Sequence, residues 1–178
     1  MASDEGASPR ELLLEACRRD NTELLHDLLE SEPCNGKSED IANFLNTSTD
    51  ALGQSALHIA AQYGSYEVLD MLLDQEGVEI DGQEKREGDT CLHKAVRYCN
   101  DLAQNAWEEG KACVEILVDA GCDPRIRNKA KLRPIDLVDP RNQDLRTALQ
   151  TAEMQTMGGD TVVDDDDDGP DGPGSESD

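Results

Sequence analysis

The residues of this chain whose side chains could carry chemistry are three histidines, six cysteines and the aspartate run from Asp164 to Asp168. Histidine is the usual general base and metal ligand near neutral pH, and cysteine the usual thiolate nucleophile. Neither is arranged for such work. His26 has no Cys or His at ligand spacing, and there is no His-Glu-x-x-His, no phosphate-cradling Gly-rich loop and no Gly-x-Ser-x-Gly. Cys17, Cys34, Cys91, Cys99, Cys113 and Cys122 include no Cys-x-x-Cys, and several stand where helical patterns take a small apolar residue. The first ten residues, MASDEGASPR, have no basic-then-apolar leader, so the cysteines read as reduced thiols of an intracellular protein. The aspartate run lacks the glycine turn of a calcium-binding loop. The expected catalytic, metal and cofactor sets are therefore empty, and the chain reads as a non-enzyme.

His58 and His93 have a different explanation. Each stands three residues after a hydroxyl, Ser55 or Thr90, and five after a glycine, Gly53 or Gly88. A hydroxyl at the N-cap accepts a backbone N–H of the first helical turn. The residue three positions on is where the reciprocal partner of a capping box stands. Both histidines therefore read as helix-start residues, 35 positions apart. The segments behind them repeat as well: Leu57, Ala60, Ala61, Val68, Leu69, Leu72 and Leu73 have helical period, and Leu92, Val114, Ile116 and Leu117 follow suit. Gly64, Gly77 and Gly121 fall where turns need positive φ.

This pattern of turn, capped helix, short turn and second helix resembles the ankyrin-repeat family, whose period is close to 33. The wider arrangement resembles small fungal members with acidic C-terminal tails. Partial copies flank the two clear ones. Ala16 to Leu29 fits the two helices upstream, and Asn128 to Leu137 opens a last copy whose second helix falls on Asp144 to Leu149. The resemblance implies an all-α solenoid of three to four helix–turn–helix repeats over residues 10–157, between a disordered N-terminus (1–9) and a disordered acidic tail (158–178). Two departures stand out. Ile41, Phe44 and Leu45 predict an extra helical turn between the first and second copies. About ten residues, Cys99 to Lys111, are inserted between the helices of the third, and they hold Trp107, the single tryptophan. Leu102 and Trp107 read as a cover for the end of the stack, or as a functional loop.

Charge separates the possible partners. The formal charge is −24, which excludes nucleic acid and anionic membrane as general partners, because both are polyanions. The distribution is uneven: residues 147–178 carry ten acids and no Lys or Arg, whereas 124–146 carry seven bases against three acids. Arg125, Arg127, Lys129, Lys131 and Arg133 recur at every second position, which in an extended hairpin places them on one face. That positive ridge suits an acidic partner peptide or the chain's own aspartate block.

In the resembling family a partner lies on the concave face of first helices and hairpin tips. Carried over by position, this implies Gln62, Tyr63 and Tyr66 in one copy and Lys94, Arg97 and Tyr98 in the next. Arg125, Arg127 and Lys129 complete the expected partner-binding set. The expected function is a protein–protein interaction module, an adaptor or assembly factor, acting as a monomer in cytosol and nucleus. The alternative is an acidic escort for a strongly basic client such as a ribosomal protein or histone.

Overall fold

The computed structural model describes residues 6–165, with side chains to 158. Among them are eight α-helices and no strand: α1 (Pro9–Arg19), α2 (Thr22–Glu30), α3 (Ser38–Thr47), α4 (Ala56–Gln62), α5 (Tyr66–Leu73), α6 (Cys91–Asp101), α7 (Trp107–Asp119) and α8 (Gln143–Asp165). Short 3-10 turns stand at Gln104–Ala106 and Pro134–Leu137. The pairs α1–α2, α4–α5 and α6–α7 form helical hairpins. They stack so that α1, α4, α6 and the turn at Pro134–Leu137 make an inner row, with α2, α5, α7 and α8 behind it. The expected repeat solenoid is the observed one.

Local chemistry starts most of these helices. Ser8 and Glu11 form a capping box at α1, whose N1 residue is Pro9, and the Asn21 side chain accepts the Leu24 N–H at α2. Ser55–His58 and Thr90–His93 form the same box at α4 and α6. In contrast, Ser65 supplies no side-chain cap to α5. The carboxylate of Asp20, from the preceding repeat, accepts the Val68 N–H at 2.9 Å instead, while the Ser65 hydroxyl donates to the Cys17 carbonyl. One repeat thus closes the helix start of the next.

The core is continuous along the stack and rests on small residues between rows. Ala16, Cys17, Ala60, Ala61, Ala95 and Cys99 are fully buried, beside Leu13, Leu25, Leu69, Leu92, Leu117 and Leu145. The expected extra turn between copies one and two is a complete helix, α3, which seats Ile41, Phe44 and Leu45 in the core. Its Asn46 side chain donates to the Gly77 carbonyl and accepts the Glu79 N–H, clipping α3 to the following repeat.

The insertion is a connection only at residues 102–106. It lengthens both helices of the third repeat, to 11 and 13 residues against 7 and 8 in the second. Apolar residues at helical spacing continue both periods, so elongation buries more than a loop would. Gly110 makes the close approach possible, since a Cβ there would lie 2.7 Å from the Cys99 sulfur. Trp107 opens α7 and packs partly buried against the core, with the Arg141 guanidinium over its ring. The last repeat keeps only a 3-10 turn as its first helix. Its second, α8, runs past the expected start of the tail at 158, and residues 166–178 of that tail lie outside the described residues, as does most of the expected disordered N-terminus.

Candidate protein-interaction surface

The two repeat histidines occupy structural positions. The Nδ1 of His58 accepts the Ser55 N–H at 3.1 Å, so its Nε2 carries the proton and donates to the Asp89 carbonyl at 2.9 Å. His93 does the same with the Thr90 N–H and the Leu132 carbonyl. Each imidazole therefore ties a helix start to the hairpin of the next repeat. Burial disfavours the imidazolium and holds both below the ordinary histidine pKa, although the carbonyl they face pulls the other way.

The expected partner-binding residues separate into two groups at opposite ends of the repeats. At the hairpin end, Lys94 and Arg97 reach from α6 to the buried carboxylates of Glu84 and Asp89, and Arg97 keeps 40 % of its side chain exposed. Lys94 reaches Glu84 at 3.2 Å and Asp89 at 3.7 Å, and only 13 % of its side chain is exposed. Arg97 holds the fully buried Asp89 at 2.7 Å and Glu87 at 3.1 Å. The Asn128 amide donates to Asp89 at 2.9 Å. Burial alone would raise the Asp89 carboxyl, but bonds from Arg97 and Asn128 and the guanidinium charge hold it below its usual range. Glu84 is held low in the same way by the Glu87 N–H and Lys94.

The hairpin tips replace the expected single ridge. Lys131 takes a left-handed conformation (φ 70°), which ends the extended alternation. Asn128 builds the turn by accepting the Ala130 and Leu132 N–H groups. Arg125 turns back on Asp123, and Arg133 is held by Asp136 and Glu153. Arg127 and Lys129 remain exposed, the first donating to the Lys131 carbonyl and the second to the Lys85 carbonyl of the neighbouring tip. Lys85 and Arg86, which the alternation did not single out, stand exposed beside them.

At the other end, where helix turns to helix, the structure gathers the three tyrosines. Gln62 and Tyr63 close α4, and Tyr66 opens α5, all exposed. Gly64 lies between them with φ 68°, and the Tyr98 ring lies directly over it: a Cβ on Gly64 would come within 2.1 Å of that ring. Because α6 and α7 outrun α4 and α5, the third repeat overhangs the second as a step. Gly64, Tyr66, Tyr98, Glu109 and Ala112 line an open depression of about 310 Å³ in its angle. Tyr63 and Tyr66 are 48 % and 39 % exposed, high for large aromatic residues. Glu109 and Ala112 escaped the sequence reading, since only the elongation of α7 brings them there. A larger depression, about 460 Å³, lies between α7 and α8 around Val114, Val118, Ala148 and Ala152.

Among the described residues no group of three or more His, Cys, Asp or Glu is placed to hold a metal ion. Nor is any described helix long and apolar enough to cross a membrane. All six cysteines are buried free thiols, and burial pushes Cys17 up to about 12 and Cys113 up to about 11.

Comparison with known proteins agrees with the stack. The family model for ankyrin repeats in three copies matches residues 13–128. The chain is 44 % identical over 155 residues to ankyrin repeat-containing protein YGL242C of Saccharomyces cerevisiae, covering 84 % of this chain and 81 % of that protein. It is 33 % identical over 92 residues to the inhibitor of Bruton tyrosine kinase of Xenopus laevis, covering 52 % of this chain but 6 % of that much longer protein.

Proposed function

The chain belongs to the ankyrin-repeat family, and from that premise we propose that it is a non-enzymatic protein-interaction module gripping a protein partner at the aromatic step between its second and third repeats. Repeats of this family are generally protein–protein interaction modules. The observation that carries the finer reading is the step itself: Tyr66 and Tyr98 line an open depression with Gly64, and exposed Tyr63 precedes that glycine in the chain. Tyrosine is enriched among the few residues that dominate binding energy, because it buries a large rigid ring and keeps a polar tip. Gln62 adds an exposed amide at the end of α4. Lys94 and Arg97 act on such a surface indirectly, by fixing α6 and hence Tyr98. The six free thiols accord with a reducing compartment, and cytosol and nucleus are the proposed location.

Affinity purification from a source extract with the native chain and the Tyr63→Ala, Tyr66→Ala and Tyr98→Ala variants tests this reading. A specific protein retained by the native chain and lost from all three variants, at low and moderate salt alike, is the expected result. Equal retention by the variants would refute the step as the binding site. Retention that instead vanished with salt and ignored the tyrosines would favour the escort of a basic client, because long-range charge attraction is screened by salt.

A further inference from the structure

Five cations crowd the outer edge of the hairpins in a chain whose formal charge is −24. Lys85 and Arg86 come from one tip, Arg127, Lys129 and Lys131 from the next, and all five are exposed. The tips are in direct register. The Lys129 N–H donates to the Glu87 carbonyl at 2.9 Å, the Gln83 amide donates to the Arg127 carbonyl at 3.0 Å, and the Lys129 ammonium reaches the Lys85 carbonyl. The nearby carboxylates are already engaged: Glu84 and Asp89 with Lys94 and Arg97, Glu87 with Arg97, Asp123 with Arg125, Asp136 with Arg133. Among the described residues none of the five cations forms an ion pair. Neighbouring like charges repel, so such a patch is stabilised by a polyanion laid over it.

We propose that this patch is the docking surface for the chain's own acidic segment, residues 166–178. The course of α8 is the reason to choose that occupant. The helix begins beside the far end of α6, where the Asn142 amide contacts Cys99 and Arg141 overlies Trp107. It then runs toward the hairpins, where Glu153 is held by Arg133 at 3.0 Å, two residues along the chain from Lys131. The last helical residue, Asp165, lies 12 positions beyond Glu153, or roughly 18 Å along the axis. The last described residue, to which the acidic segment is joined, therefore lies on the hairpin side of the stack. Residues 166–178 span up to about 43 Å when extended, enough to return over the tips. They carry Asp166, Asp167, Asp168, Asp171, Glu176 and Asp178 and no base. Exposed ion pairs are individually weak, but a tethered segment meets its site at an effective concentration near millimolar. A separate acidic partner must instead approach a strongly anionic molecule.

The test places a nitroxide spin label on the full chain through Ser177→Cys and reads amide intensities by NMR. The six native thiols are buried, which makes the new cysteine the reactive one. At low salt, amides of residues 85–86 and 127–131 are expected to lose about half or more of their intensity, and to recover it near 1 M salt, where the Debye length is about 3 Å. Arg86→Glu with Lys131→Glu, both exposed, is expected to abolish the loss while leaving other amide shifts in place. Uniform broadening over the surface, or broadening that survives the charge reversal, would overturn the proposal. So would broadening that appears between labelled chains and separate unlabelled ¹⁵N chains, which would assign the patch to a second copy.

Discussion

The two ends of the repeats use their exposed side chains in opposite ways. At the hairpin end, the charges of α6 are turned onto buried carboxylates, while the five cations of the tips stay outside. Asp89 and Glu84 are buried, and Lys94, Arg97 and Asn128 converge on them to lock α6 against two successive tips. At the helix-turn end the aromatic residues stay outside, and Tyr63 and Tyr66 flank a glycine roofed by Tyr98. A buried carboxylate is costly unless every lone pair is used, so the first arrangement demands fixed partners. An exposed tyrosine costs little and leaves area for a partner. The hairpin end therefore holds the stack in shape beneath an exposed basic edge, and the helix-turn end leaves aromatic area for a protein partner.

The largest expected effect lies at the hairpin end. Asp89→Ala leaves the buried Asn128 amide without its acceptor and takes from Arg97 its nearest carboxylate, and should cost about 3 kcal/mol of stability, read from urea denaturation; a loss near zero would mean the network is not a structural lock. Next comes Tyr66→Ala, which should weaken partner binding by about 2 kcal/mol while urea stability moves by no more than about 0.5 kcal/mol. If stability fell as much as binding, the two ends would not differ in kind. Gly64→Ala forces a left-handed alanine at a cost of about 1–2 kcal/mol and pushes the Tyr98 ring off the step, which ring chemical shifts would report.

Acid should act through the hairpin end, where the titrating His58, His93, Glu84 and Asp89 lie. Both buried histidines have a folded-state pKa below the ordinary 6.5. Their neutral forms thus favour the fold above that pH, and stability falls as pH drops below it, by at most about 1.4 kcal/mol per pH unit for each histidine. Asp89 and Glu84 are held below their ordinary 3.8 and 4.5, so their contribution persists above those values and is lost only under stronger acid. A two-stage acid titration is the expected outcome, with the upper stage reduced in His93→Gln. The smallest effect belongs to the tips, where Lys129→Ala should change stability by no more than about 0.5 kcal/mol.

Much of the stack was legible without coordinates. Ser55–His58 and Thr90–His93 write their helix starts locally, because a capping box involves only four consecutive residues. The leucine and alanine period marks the buried stripe of α4 to α7 for the same reason. The tyrosines and the basic alternation were visible as residues but not as sites. Whether a lysine is exposed depends on what faces it, and Lys94 faces two carboxylates that belong to its own hairpin. The alternation from Arg125 to Arg133 implied one ridge, but the left-handed turn at Lys131 and the acids beside Arg125 and Arg133 divided it. The ten-residue insertion was legible only as extra length.

What the sequence determined by itself is what short-range chemistry determines: the repeat, its caps, its buried period and the segregation of charge along the chain. Tertiary structure alone decided what depends on contacts between repeats. It made the insertion into two longer helices rather than a loop, and so created the step. It brought Tyr98 over Gly64, let Asp20 cap α5 from the preceding repeat, and set Lys85 and Arg86 beside Lys129. These outcomes rest on distances between residues tens of positions apart, which packing fixes and local spacing does not.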